Sequence, residues 1–172
     1  HHASWESSGG ELYPVTFKNG STYTVLGGHV VGLTSDLAPW EEWKRASDGD
    51  LLRTEGSGLV TVDGPRLDNG EDGYSPHGAG TFQLKNTWLT RIHDDAVEDD
   101  DSLSGTIRDS LFQVHTFMSQ RGGSGAVGRG PSLVKVENVV VELVPMPQQS
   151  SAYADGLAIG YFFKTDKNRP GD

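Results

Sequence analysis

Cysteine is absent from this chain of 172 residues. That absence excludes a disulfide framework, a thiol nucleophile and a cysteine-based zinc site. Long apolar runs are missing too: no window approaches the ~18 residues that a membrane helix requires, so no membrane span is expected. The start carries no charged-then-apolar segment of the signal-peptide kind. Basic residues are scarce, 14 against 24 acidic, and the formal net charge is −10. A surface of that sign repels phosphate backbones, which argues against a nucleic-acid partner. Helix signals are few as well. Trp40-Glu41-Glu42-Trp43-Lys44-Arg45, just after Pro39, is the one convincing short helix start. What is plentiful is glycine, 23 residues, with apolar residues at 34%. Many short strands joined by tight turns fit that balance better than a helical bundle.

The length suits one domain with a sizeable core. His1-His2-Ala3-Ser4 reads as the remnant of an affinity tag. Residues 5–48 read as an N-terminal entry or capping section. Within it, Thr22-Tyr23-Thr24-Val25 and His29-Val30-Val31 form strands broken by Gly27-Gly28. Asn19-Gly20-Ser21 matches the glycosylation pattern but reads more simply as a turn between strands. Residues 49–172 carry the repeat described next, interrupted by a glycine-rich loop over 122–131. Gly160-Tyr161-Phe162-Phe163-Lys164 is a last strand before a polar tail. A strand so near the end, with no cap in sight, predicts a shortened chain or an edge covered by a partner chain or second fragment.

Three segments align without gaps: Leu84 to Leu89, Ile107 to Phe112 and Val136 to Val141. Each reads apolar, charged, Asn or Asp, small or β-branched, then bulky apolar. Val62-Asp63-Gly64-Pro65-Arg66-Leu67 is a weaker, earlier copy, and successive starts lie 22, 23 and 29 residues apart. A unit of that length is too short for a helical-pair repeat and lacks the leucine-rich pattern. It fits one coil of two or three short strands with their turns. The expected fold is all-β: a single-stranded, right-handed parallel β-helix with a short N-terminal cap. In such a coil Leu84, Ile107 and Val136 point inward as a ladder, while Lys85, Arg108 and Glu137 face water. Asn86, Asp109 and Asn138 fall where the chain must bend, and short polar side chains suit bends.

Two motifs are set aside. Gly123-Ser124-Gly125-Ala126-Val127-Gly128 matches a dinucleotide fingerprint in letters only, because Pro131 discourages the helix that would receive a pyrophosphate. Asp68-Asn69-Gly70-Glu71-Asp72-Gly73 begins like an EF-hand loop, but Gly70 and Ala79 stand where ligands are required. The acidic residues around them are more informative. Asp94 and Asp95 follow Asp72 by 22 and 23 residues, which sets these carboxylates beside one another on adjacent coils. His115 lies one coil further on. Clustered carboxylates repel, so one is expected to hold a proton and to act as a general acid while another activates water. The same oxygens, with Glu98, could instead hold calcium; a third reading makes these residues turn formers. Trp5, Trp40, Trp43, Trp88 and Tyr74 could stack on sugar rings, with Trp88 expected in or near the core.

Asp72-Gly73 followed by Asp94-Asp95, with His115 on the next coil, resembles the polygalacturonase-like glycoside hydrolases of the right-handed parallel β-helix group. The resemblance implies Asp95 as general acid, Asp72 and Asp94 holding the attacking water, and His115 supporting them. Residues 50–164 more loosely resemble bacterial β-helix repeat proteins of the pectate-lyase-like superfamily. From these come the functional expectations. The first is a carbohydrate-directed protein, a glycoside hydrolase or polysaccharide lyase, needing no cofactor, with calcium as an option. The partner would be a polysaccharide or oligosaccharide, and the location secreted or periplasmic. The alternative is a non-catalytic adhesin or structural module.

Overall fold

The computed structural model describes residues 4–6, 14–33, 35, 49–121, 132–147, 157–158 and 160–165. The expected helix over 40–45 and the loop over 122–131 lie outside these. Among the described residues every regular element is a strand. In chain order they are β1 (Ser4–Glu6), β2 (Val15–Gly20), β3 (Tyr23–Leu26), β4 (His29–Val31), β5 (Asp50–Gly56), β6 (Leu59–Asp63) and β7 (Arg66–Gly70). Then come β8 (Asp72–Gly78), β9 (Thr81–Lys85), β10 (Trp88–Asp99), β11 (Ser104–Gln120) and β12 (Val134–Leu143). The short β13 (Met146–Pro147), β14 (Leu157–Ala158) and β15 (Phe163–Thr165) follow. All pairings of the main sheet are parallel, and the sheet curls until it is nearly barrel-shaped. Only β13 and β14 pair antiparallel.

Strands pair with those one repeat away in sequence. β3, β6, β9, β11 and β12 form one ladder. β4, β7, β10, β11 and β12 form a second, with β1 beyond β4. β2, β5, β8, β10, β11 and β15 form the third. The segments expected to stack in sequence order do so, in the expected register: Leu84 pairs with Ile107 and Ile107 with Val136. Residues 15–31, within the section 5–48 read above as an entry or cap, supply the opening strands of the first and third ladders and the second strand of the other, which opens with β1.

The repeat folds this way because its inward positions are apolar in every coil. Val25, Val62, Leu84, Ile107 and Val136 share one row. Val30, Leu67, Leu89, Phe112 and Val141 share another. Val15, Leu52, Tyr74, Val97, Met118 and Phe163 make the third. The middle members are fully buried and form one continuous core. Val136 keeps the register but is 43% exposed, because β12 ends its ladder among the described residues.

One corner is built from left-handed residues stacked coil on coil. Gly27, Gly64, Asn86, Asp109 and Asn138 have φ of 61°, 78°, 53°, 51° and 52°. Positive φ costs glycine nothing, and Asn and Asp tolerate it better than other residues. Side chains lace this corner together: Asn86 Nδ2 donates to Asp63 Oδ1 at 2.7 Å, and Asn138 Nδ2 to Asp109 Oδ1 at 2.8 Å. At a second corner Asn69 and Arg91 are left-handed, but β11 omits this residue and its register with β10 shifts there.

Candidate functional site

The acidic residues converge where the third ladder passes through β5, β8 and β10. Asp50 pairs with Asp72 in register, and the backbone N–H of Asp95 donates to Asp72 Oδ1 at 2.8 Å. Asp72 therefore faces Asp95 across the coils. Asp94, expected as its equivalent, sits one residue off, its N–H on the Glu71 carbonyl at 2.8 Å. The carboxylates gather all the same. Asp72, Asp94 and Asp95 each offer an oxygen within 4.8 Å of the others, as do Asp50, Asp72 and Glu98. His115 is buried on β11 next to Thr116, the partner of Asp95.

Most of this cluster is shut away from water. Asp50, Asp72 and Asp95 are buried, and Asp95 is wholly inaccessible. Burial disfavours the ionised form, and neighbouring carboxylates add to the effect. Asp72 is held well above the usual carboxylate range, by burial first and then by Glu98, Asp94 and Asp95. Burial and the charge of Asp94 push Asp95 up to about 7, against the pull of Lys164. Burial, with Asp100 and Asp50, pushes Glu98 up to about 7. Glu98 and Asp72 offer oxygens within 4.8 Å of each other, a range at which two ionised carboxylates repel.

Two cations from later in the chain complete the group. Lys164 Nζ on β15 reaches Asp95 Oδ2 at 2.8 Å and Asp94 Oδ1 at 3.1 Å. Arg121 reaches Glu98 at 2.9 Å and Asp95 Oδ2 at 3.4 Å. Other acids of the stretch are tied to backbone amides. Both oxygens of Asp99 accept from the Leu103 N–H, and Asp101 Oδ2 accepts from Gly78 at 2.9 Å. Next to these stands a constellation that the sequence reading missed. Ser75 Oγ lies 2.8 Å from His77 Nε2, and His77 Nδ1 lies 3.4 Å from Asp101 Oδ2. The order resembles a nucleophile, base and orienter, yet Ser75 is fully buried and its hydroxyl donates to the Glu98 carbonyl at 3.1 Å. No substrate carbonyl could reach it in this state. These contacts pin β8 to the turn after β10.

The outer face of the second ladder is a different kind of site. Arg66, Trp88, Leu111 and Val140 lie in one row across four coils. Trp88 was expected in the core or semi-buried; it lies outside the core at 41% exposure, because its position alternates with the inward Leu89. Leu111 and Val140 are exposed beside it, and the Arg66 guanidinium lies 4.2 Å from the Trp88 ring centre. Two residues along, the next row is polar: Asp68 and Thr90, both buried, then the half-buried Gln113 and the exposed Glu142. Thr90 donates to Asp68 Oδ1 at 2.7 Å, and Gln113 Nε2 to Glu142 at 2.8 Å. Arg91 grips Asp68 with two bonds of 2.9 Å. Burial alone would raise the Asp68 carboxyl, but Arg91 and Thr90 outweigh it and hold it below the usual range.

No protein-family model matches the chain, no curated protein does, and no solved structure does. Function has to be argued from the geometry alone. Of the expected site residues, Asp72, Asp94, Asp95 and Glu98 come together, with His115 on the next strand. Asp50, Arg121 and Lys164 join them: Asp50 lies one repeat before its partner Asp72 and Arg121 lies 23 residues after Glu98, so the period reaches both, whereas Lys164 lies 70 residues from Asp94 and outside it.

Proposed function

We propose that this chain is a right-handed parallel β-helix module of a secreted or periplasmic protein, and that it binds a polysaccharide or oligosaccharide on its outer face without cleaving it. Ladders in which each strand pairs with the one a repeat later are what such a coil requires. Right-handed crossovers are nearly universal between parallel strands of one sheet. The observation that carries the binding reading is the exposed row of Trp88, Leu111 and Val140 beside the polar pair of Gln113 and Glu142. A sugar ring has an apolar face and a hydroxylated rim. An apolar strip with one indole, ~7 Å from a polar pair, meets both at once, since two residues of strand span that distance.

The buried acids favour the non-catalytic alternative over the hydrolase. An inverting pair needs ~6.5–9.5 Å between its carboxyls to admit water. Here the oxygens of Asp72, Asp94 and Asp95 approach within 4.8 Å, nearer the ~5 Å of a retaining pair, but Asp72 and Asp95 are buried away from any substrate, and Lys164 and Arg121 engage the cluster. The cluster reads as an internal clamp.

A polysaccharide panel tests the proposal, with binding followed by calorimetry and cleavage by reducing ends and by the absorbance of unsaturated products. We expect binding without product, and roughly tenfold weaker binding for Trp88→Ala at an unchanged Tm, given what one aromatic stacking contact contributes. Failure to bind any member of the panel would sink the reading. Product formation that disappears in Asp95→Asn would return the acid cluster to catalysis.

A further inference from the structure

We infer that the chain forms a two-fold dimer by pairing the free edge of β12 with the same edge of a second copy, antiparallel about Val136. The sugar-binding reading is not needed for this. Among the described residues β12 pairs only with β11, and its other edge meets no described strand, the kind of edge on which another strand can add. That edge is apolar where it faces the coil interior: Val136 is 43% exposed, while the residue below it in the ladder, Ile107, is wholly buried. The same end of the molecule exposes Tyr161, Phe162 and Phe163. A bare edge beside aromatic surface is a place where another strand gains both hydrogen bonds and apolar burial.

The charges on β12 select the partner and its direction. Lys135 and Glu137 flank Val136, are exposed, and lie 2.7 Å apart in the single chain. Antiparallel pairing centred on Val136 sets Lys135 opposite Glu137 of the second copy, and Glu137 opposite its Lys135. Both pairs then fall on the outward face, where opposed charges attract. The two Val136 side chains meet on the inward face, covering the surface each leaves open. Parallel pairing in register would set like charges side by side. A head-to-tail stack is disfavoured for another reason: the ladder of Val136 begins at β3, where Thr24 and Leu26 fall in the rows of Lys135 and Glu137 and offer no countercharge to either. A two-fold contact uses one patch twice and closes on itself, so it ends at a dimer.

Sedimentation of the intact chain over a wide concentration range, with charge-reversed variants, tests this. The wild type should move from monomer to twice that mass as concentration rises. Glu137→Lys alone and Lys135→Glu alone should each weaken association by more than about tenfold, because each sets like charges opposite one another. The double variant Lys135→Glu/Glu137→Lys should regain the dimer. Both positions are exposed, and circular dichroism checks that each variant folds; if one does not, the other single variant gives the same reading. A wild type that stays monomeric overturns the inference. So do single reversals that dimerise normally, or a double variant that fails to recover.

Discussion

The stacked corner is where single residues matter most. Asn86 holds φ of 53° and donates to Asp63, and its hydrogen bond, first among several causes, keeps the Asp63 carboxyl below its usual range. Replacing Asn86 with Ala removes the bond and forces a Cβ-bearing residue without a polar side chain into left-handed space. The two losses together should cost about 2 kcal/mol. Asn86→Gly loses the bond but not the conformation, and should cost about 1 kcal/mol or less. Urea unfolding of the two variants checks the order; an Ala variant as stable as the Gly variant would mean that the corner carries no strain. This corner was legible in the sequence because Asn, Asp and Gly have few other reasons to recur at one place in a repeat. The left-handed Arg91 was not legible, since arginine has no preference for that conformation and only the neighbouring ladder demands it.

At the scale of elements, β15 is three residues long and pairs only at Met118, Ser119 and Gln120 of β11. So short a strand contributes few ladder bonds. Phe162 packs on Phe117 at 5.0 Å between ring centres, and Lys164 supplies the ionic contact to Asp94 and Asp95. Lys164→Met should leave those carboxylates short of a countercharge and loosen β15. Breaking a buried pair typically costs 3–5 kcal/mol, but Lys164 is partly exposed, so about 2 kcal/mol is expected after screening. Hydrogen exchange of residues 118–120 and 163–165 should quicken while the Leu84 and Ile107 strands stay protected. Uniform quickening would mean β15 is integral to the whole coil. The meeting of Asp72 with Asp94 and Asp95 could be anticipated, because 22 or 23 residues is one turn of the repeat. Lys164 lies 70 residues from Asp94, across segments that break the period, and no spacing rule reaches that far. Trp88 was misjudged for a local reason: alternation along a half-buried strand is set by Leu89, and a large apolar residue on the outward phase looks like core until its register is known.

For the whole molecule the acid cluster dictates how stability depends on pH. Asp95 and Glu98 are pushed to about 7 and Asp99 to about 6, each chiefly by burial, and Asp72 is held well above the usual carboxylate range for the same reason. In the unfolded chain these groups titrate near 4. Between roughly pH 4 and 7 the folded protein therefore binds more protons than the unfolded chain, and linkage requires stability to fall as pH rises through that window. Above about pH 7 the cost of burying these charges is fully present; on acidification it is progressively relieved. Asp63, Asp68 and Asp109 work in the opposite sense. Their folded values lie below the usual range, so what they contribute is present above about pH 4 and is lost only as the solution becomes more acidic still. The Tm should accordingly climb from pH 8 to about pH 5 and drop again below pH 4, whereas a protein whose carboxylates are mostly salt-bridged loses stability throughout acidification. Asp95→Asn combined with Glu98→Gln should flatten the slope between pH 5 and 8 by removing two of the groups that cause it. A wild-type Tm that falls steadily from pH 8 to 5 would show that Lys164 and Arg121 keep the cluster ionised near neutrality.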